Sequence, residues 1–162
     1  MKRFRLHSLA VLLPAILFVV AFTFVAHAAY LSFVSDLIVA SAPSEYTSHT
    51  IQFTAPGGIP ASGDISITPQ DGAFNIPFGI DYTNVHFSVW NGSFYAPRSL
   101  SETPSATDDG VTIVTGTSGS VTITLSSGAG VAAGGKVRII IDSIQNPVTD
   151  GSFRVELATH TA

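Results

Sequence analysis

Past residue 28, almost every apolar segment of this 162-residue chain alternates with period two. "HTIQFT" sets Ile51 and Phe53 against Thr50, Gln52 and Thr54, and "DISIT" offers Ile65 and Ile67. "NVHFSVW" sets Val85, Phe87 and Val89 against His86, Ser88 and Trp90. "SVTITL" brings Val121, Ile123 and Leu125, "KVRIII" brings Val137, Ile139 and Ile141, and "SFRVELAT" brings Phe153, Val155 and Leu157. Successive strand side chains point to opposite faces, so this pattern predicts half-buried strands, and no 3.6-residue stripe competes with it. Turn clusters such as "APGG", "TPQDG", "SSGAG" and "NPVTDG" separate the segments. The fold class is therefore all-β. About seven to nine short strands close best as two packed antiparallel sheets, with a barrel as the competing closure.

Three local readings follow from the pattern. "FSVW-NG-SFYA" reads as a hairpin on a two-residue type I′ turn, with Gly92 as turn glycine. That register sets Trp90 opposite Ser93, Val89 opposite Phe94 and Ser88 opposite Tyr95. Phe94 then shares the face of Val85, Phe87 and Val89, while His86, Ser88, Trp90 and Tyr95 share the other. Asn91-Gly92-Ser93 is also a formal glycosylation sequon, but the turn explains those residues. "SLSETPSATDDG" (Ser99–Gly110) reads as a long surface loop. In "YLSFVSDLIVASAPSEY", Leu31, Phe33, Leu37 and Val39 oppose Val34 and Ile38, which predicts a bulged strand or one buried on both sides.

A gapless repeat runs through the chain. "TIQFTAPGGIPASGDISI" (Thr50–Ile67) aligns with "TITLSSGAGVAAGGKVRI" (Thr122–Ile139) at an offset of 72. Thr50/Thr122, Ile51/Ile123, Gly58/Gly130, Ala61/Ala133, Gly63/Gly135 and Ile67/Ile139 are identical. Each copy reads as strand, Gly-rich loop, strand. Ile59 and Val131, the apolar residues within the loops, are expected to plug an open end of the sandwich, and Gly63 and Gly135 to permit the turn into the next strand. A phosphate cradle is excluded because no helix follows either loop.

Residues 1–28 stand apart. A basic "MKRFRLHS", an apolar "LAVLLPAILFVVAFTFVA" and "AHA" (Ala26–Ala28) form the pattern of a cleaved signal peptide. The alternative is an uncleaved anchor, which would be the chain's contact with a membrane. The reading is 1–28 signal peptide, 29–47 N-terminal strand or extension, and 48–162 sandwich domain. Export places the protein outside the cell or at its surface, with the periplasm as a further destination. Beyond the leader, four basic residues (Arg98, Lys136, Arg138 and Arg154) face eleven acids, a net charge of −7. Four scattered cations do not build the patch that neutralises phosphates, so nucleic acid is excluded as a partner. With no cysteine, stability rests on apolar burial and strand pairing.

Candidate chemistry is sparse. His49, His86 and His160 read as isolated, solvent-side residues of strands, without metal-ligand spacing. No G-x-S-x-G is present, and Glu45, Glu102 and Glu156 are too dispersed to nominate a carboxylate pair. Asp108-Asp109-Gly110 reads as a solvated turn, with a Ca²⁺ site as its alternative. No cofactor, metal or catalytic group is expected. Trp90 and Tyr95, with His86 beside them, form the candidate contact for a sugar ring or a protein partner, unless a neighbouring segment covers that face.

"HTIQFT…GGIPASGDISIT" followed by "KVRIIIDSIQNPVTDGSFRVELAT" resembles the Ig-like β-sandwich modules of bacterial secreted and surface proteins. The resemblance covers most of Thr50–Thr159 and implies a spacer, adhesive or assembly module. The leading expectation is a non-enzymatic, exported structural or adhesive protein whose partner is a protein or glycan at the cell surface. A second is a self-assembling subunit whose Ala29–Ala40 segment completes a neighbour's sheet. A third is a carbohydrate-binding module using Trp90 and Tyr95.

Overall fold

In the computed structural model, which describes residues 31–160, the alternating segments become strands. The expected signal peptide at 1–28, and Ala29 and Tyr30 at the head of the expected exchanging strand, lie outside the described residues. Among those described, ten strands form: β1 (Ser32–Ile38), β2 (Tyr46–Ala55), β3 (Asp64–Pro69), β4 (Val85–Trp90), β5 (Tyr95–Pro97), β6 (Leu100–Ser101), β7 (Asp109–Val114), β8 (Ser120–Thr124), β9 (Gly135–Gln145) and β10 (Val155–His160). Sheet 1 runs β1-β2-β9-β4-β5 and sheet 2 runs β10-β3-β8-β7-β6. The chain is a two-sheet β-sandwich. Strand number exceeds the expectation because two- and three-residue strands, β6 and β5, lie inside segments read as loop or hairpin. The β6–β7 pair is parallel, so the Ser99–Gly110 loop is partly sheet.

The period-two pattern sorts the faces. Ile51, Phe53, Ile65, Ile67, Val85, Phe87, Val121, Ile123, Val137, Ile139 and Ile141 are all buried between the sheets. Each contributes about 1.5–3 kcal/mol over an exposed position, so the inner faces dictate which way every strand turns. Phe153, Val155 and Leu157 are only half-buried, because β10 is an edge strand and Phe153 precedes it. Phe153 packs edge-on to Phe74, with ring centroids 5.9 Å apart. A 3₁₀ turn, Tyr82–Asn84, leads into β4 and is capped by Asp81. Hydrogen bonds from the hydroxyl and amide of Thr83 hold the Asp81 carboxyl below its ordinary value.

The repeat builds the centre of the sandwich. β2 crosses to β3, and β8 crosses back to β9, so the two Gly-rich loops pass from sheet to sheet side by side. They meet at Ile59 and Val131, where each N–H donates to the other residue's carbonyl, at 2.8 and 2.7 Å. These positions are equivalent in the repeat, so the copies are related by an approximate two-fold axis through that bridge. Both side chains are buried, at 2% and 4% exposure. A Cβ on Gly58 would stand 2.7 Å from the Val131 carbonyl oxygen, and one on Gly130 2.9 Å from the Ala61 nitrogen. Those glycines let the crossings touch.

The turn into the next strand is made one residue earlier than the sequence reading placed it. Ser62 and Gly134, again equivalent, carry the left-handed backbone, with φ of 62° and 73°. Gly63 and Gly135 are needed for space instead. A Cβ on Gly63 would lie 2.9 Å from the His160 carbonyl oxygen, and one on Gly135 2.6 Å from Cγ1 of Val131.

Candidate functional site

The outer face of sheet 1 gathers the candidate residues. Strand register sets Tyr95 beside Trp90 in one row. The next row crosses the whole sheet as Pro97, Ser88, Arg138, Gln52 and Ser35. A third runs His86, Ile140, Thr50 and Leu37. The Tyr95 ring lies diagonally over these rows from β5. The Arg138 guanidinium covers it at 4.4 Å from the centroid, and the Tyr95 hydroxyl reaches Oε1 of Gln52 on β2 at 3.4 Å. Ser88 lies buried in the adjoining row, its hydroxyl donating to the Arg138 carbonyl at 3.2 Å, and its small size leaves the ring room to lie down. Trp90 stands against Tyr95, with centroids 5.2 Å apart and planes at 68°.

This arrangement comes from a different hairpin register. Trp90 pairs with Tyr95, Val89 with Ala96 and Ser88 with Pro97, so the loop holds Asn91, Gly92, Ser93 and Phe94. Asn91 Oδ1 accepts the N–H groups of Ser93 and Phe94, both at 3.0 Å, and Gly92 alone of the pair has positive φ, at 104°. The asparagine side chain thus replaces the two-residue turn with a wider one. Phe94 consequently sits exposed in the loop instead of joining the Val85 face. Trp90 is 37% exposed and Tyr95 half-buried, so the face is partly open.

β1 supplies the other wall of a cleft beside this face. Its pairing with β2 slips between Ser32 and Ser35, and Phe33 sits at that bulge with φ of 52°. The side chain is 88% exposed. A cleft of about 400 Å³ lies between Phe33 and Tyr95, also lined by Gln52, Thr54 and Lys136. Burial of β1 on both sides is excluded, because its five central residues are all exposed.

His86 shares the outer face but is tied elsewhere, with Nε2 3.3 Å from Oδ2 of Asp142. That carboxylate also accepts the Ser48 hydroxyl at 2.6 Å. His160 is exposed at the end of β10.

Two sequence readings are corrected. His49 is not solvent-side: it is 1% exposed, on the same strand face as Ile51 and Phe53. Its Nδ1 lies 2.7 Å from Oδ2 of Asp36 on β1, and its ring meets Phe74 edge-on at 5.4 Å. Odd numbering alone placed it inward; its polar character suggested otherwise. Asp109 is likewise no part of a solvated turn but is 0% exposed. Arg98 grips it with Nε at 2.7 Å and Nη2 at 2.6 Å, and the Ser126 amide donates to it at 2.7 Å. Its carboxylate is thus committed to structure. Asp108 stays near the surface and accepts from the hydroxyls of Ser105 and Thr107. Among the described residues no three His, Asp or Glu side chains converge to hold a metal. No helix among them is long and apolar enough to cross a membrane.

No family model matches the chain, and no curated protein matches it. Among solved structures, the chain is similar to a family IIIa CBD from Clostridium cellulolyticum. The two are 17% identical with a TM-score of 0.43, over 84% of this chain and 95% of that one. Likeness at that level assigns no ligand here. The class defined by the strands themselves is a two-sheet β-sandwich, without a feature that marks it as Ig-like.

Proposed function

We propose that the chain is an exported, non-enzymatic binding module that takes a single carbohydrate chain across the outer face of sheet 1. The carrying observation is the Trp90–Tyr95–Arg138–Gln52 arrangement, in which a partly exposed Trp90 stands beside a half-buried Tyr95 that is continuous with planar hydrogen-bonding groups. A sugar ring has C–H groups to bury against an indole and hydroxyls that need partners at its rim, and this face offers both. The 68° between the two rings keeps them from stacking together on one flat surface. A single soluble chain following the cleft fits better than the face of a packed polymer. Adhesion at the cell surface is what such a module performs there, and the leader at 1–28 supports that location.

Trp90 is the only tryptophan, so its fluorescence reports the site directly. Titration with a panel of soluble polysaccharides should quench or shift it, and calorimetry should show Trp90→Ala weakening binding by about tenfold or more. Undiminished affinity in that variant, with the fold intact, would rule the site out.

A second reading, self-assembly through β1, is favoured by Phe33, Val34, Leu37 and Val39, all exposed on or just beyond an edge strand. An uncovered apolar edge invites another chain to pair with it. β1 pairs with β2 of its own sheet here, so exchange requires it to leave that place.

A further inference from the structure

We propose that the glycan taken by this face is anionic, bearing carboxylate or sulfate groups that Lys136 and Arg138 receive. This rests on the carbohydrate reading and names its ligand class. Beyond the leader the chain is strongly acidic, with four cations against eleven acids. Arg98 is consumed by buried Asp109, and Arg154 lines a cleft shared with Asp71 and Glu156 near the sheet 2 edge. The remaining two, Lys136 and Arg138, stand two residues apart on β9 and face out of sheet 1, because Val137 and Ile139 face in.

Neither has a carboxylate partner among the described residues. Asp142, the nearest acid along the strand, is engaged by Ser48 and His86. Arg138 Nε is buried without a hydrogen-bond acceptor, while its guanidinium rests on Tyr95. An acidic protein thus holds two uncompensated cations at one place, and that place is the aromatic face. Lys136 also lines the cleft between Phe33 and Tyr95, with Gln52 and Thr54. Its volume, about 400 Å³, is within the range of about 300–1,000 Å³ that small ligands occupy. A ring lying there meets an aromatic side chain at each end and an ammonium beside it. Two cations within residues 29–162, whose net charge is −7, are too few for a nucleic acid, whose phosphates demand more.

The test uses polysaccharides that differ only in charge. Affinity of the protein for polygalacturonate is compared with its fully methyl-esterified form, and for dextran sulfate with dextran, at low ionic strength. Trp90 fluorescence and calorimetry are the readouts. The expected result is a preference of about tenfold or more for one charged form over its neutral twin, lost in Lys136→Gln. The carboxylate and sulfate pairs distinguish the two sources of charge. Equal, Trp90-dependent binding of charged and neutral twins overturns the inference and leaves the carbohydrate reading standing. A preference that survives in Lys136→Gln also overturns it. Equally tight binding of a short polyphosphate overturns it too, since the face would then be a general anion surface. Binding of no polysaccharide in either pair defeats the carbohydrate reading itself.

Discussion

Replacing Asp109 by Asn tests the least expected piece of the fold. The side chains have nearly the same shape, so packing is preserved while the charge disappears. Arg98, whose side chain is 17% exposed, then keeps its positive charge without a counterion. The new amide also turns a donor toward the guanidinium in either orientation, and toward the Ser126 N–H as well in one of them, because Nε bonds to one carboxylate oxygen and Nη2 and Ser126 to the other. Removing one partner of such a buried pair costs about 3–5 kcal/mol. Against a total stability of about 5–15 kcal/mol, that is a large share. For a slope of about 1.5 kcal/mol per molar urea, the unfolding midpoint should fall by about 2–3 M. Urea titration followed by far-UV circular dichroism measures it. The paired replacement Arg98→Met with Asp109→Leu should recover part of the loss, giving a coupling of about 2 kcal/mol in the cycle. Recovery stays partial because the carbonyls of Ala129 and Gly130 lose the Arg98 donors. A midpoint in Asp109→Asn within about 0.5 M of the parent, or a cycle without coupling, would refute the reasoning.

The crossings and the edge give three further outcomes. Ser62→Gly should stabilise by about 0.5–1 kcal/mol, because it relieves a left-handed serine where the repeat carries Gly134; Gly63→Ala should destabilise by about 1–3 kcal/mol, since its methyl group meets two backbone carbonyls. Thermal unfolding of both variants checks the opposite signs. If β1 mediates assembly, size exclusion should show oligomers that disappear when the chain begins at Ser44, whereas a strictly monomeric parent protein ends that reading.

The inner faces were legible because period two depends only on which residues are apolar. The same parity explains why the Trp90–Tyr95 neighbourhood could be read from a wrong register. The observed hairpin differs from the expected one by two residues, and a slip of two keeps every side chain that stays paired on its face. Phe94 was misplaced because Asn91 widens the turn with its own side chain, a choice the dipeptide Asn-Gly does not settle. His49 and Asp109 are not legible from residue type, which points both to solvent; each is buried beside a partner, Asp36 or Arg98, elsewhere in the chain. Lys136 and Arg138 reach the site because β9 lies between β2 and β4, a strand order that the local pattern does not encode. Phe33 depended on a bulge that alternation only hints at.

The touching crossings also set when this chain can fold. β2 and β3 are made early, yet their inner neighbours β9 and β8 come from the later half. Ile59 must wait for Val131 before its own amide and carbonyl are answered. As the chain emerges N-terminus first, the earlier copy of the repeat has only β1 to pair with, and its crossing loop waits some seventy residues for its counterpart. Loop closure over that span is paid before the central pairings reward it, so folding is expected on the slow, ms–s scale of β-sandwiches. The central pairings of the earlier half are therefore completed only when its counterpart arrives.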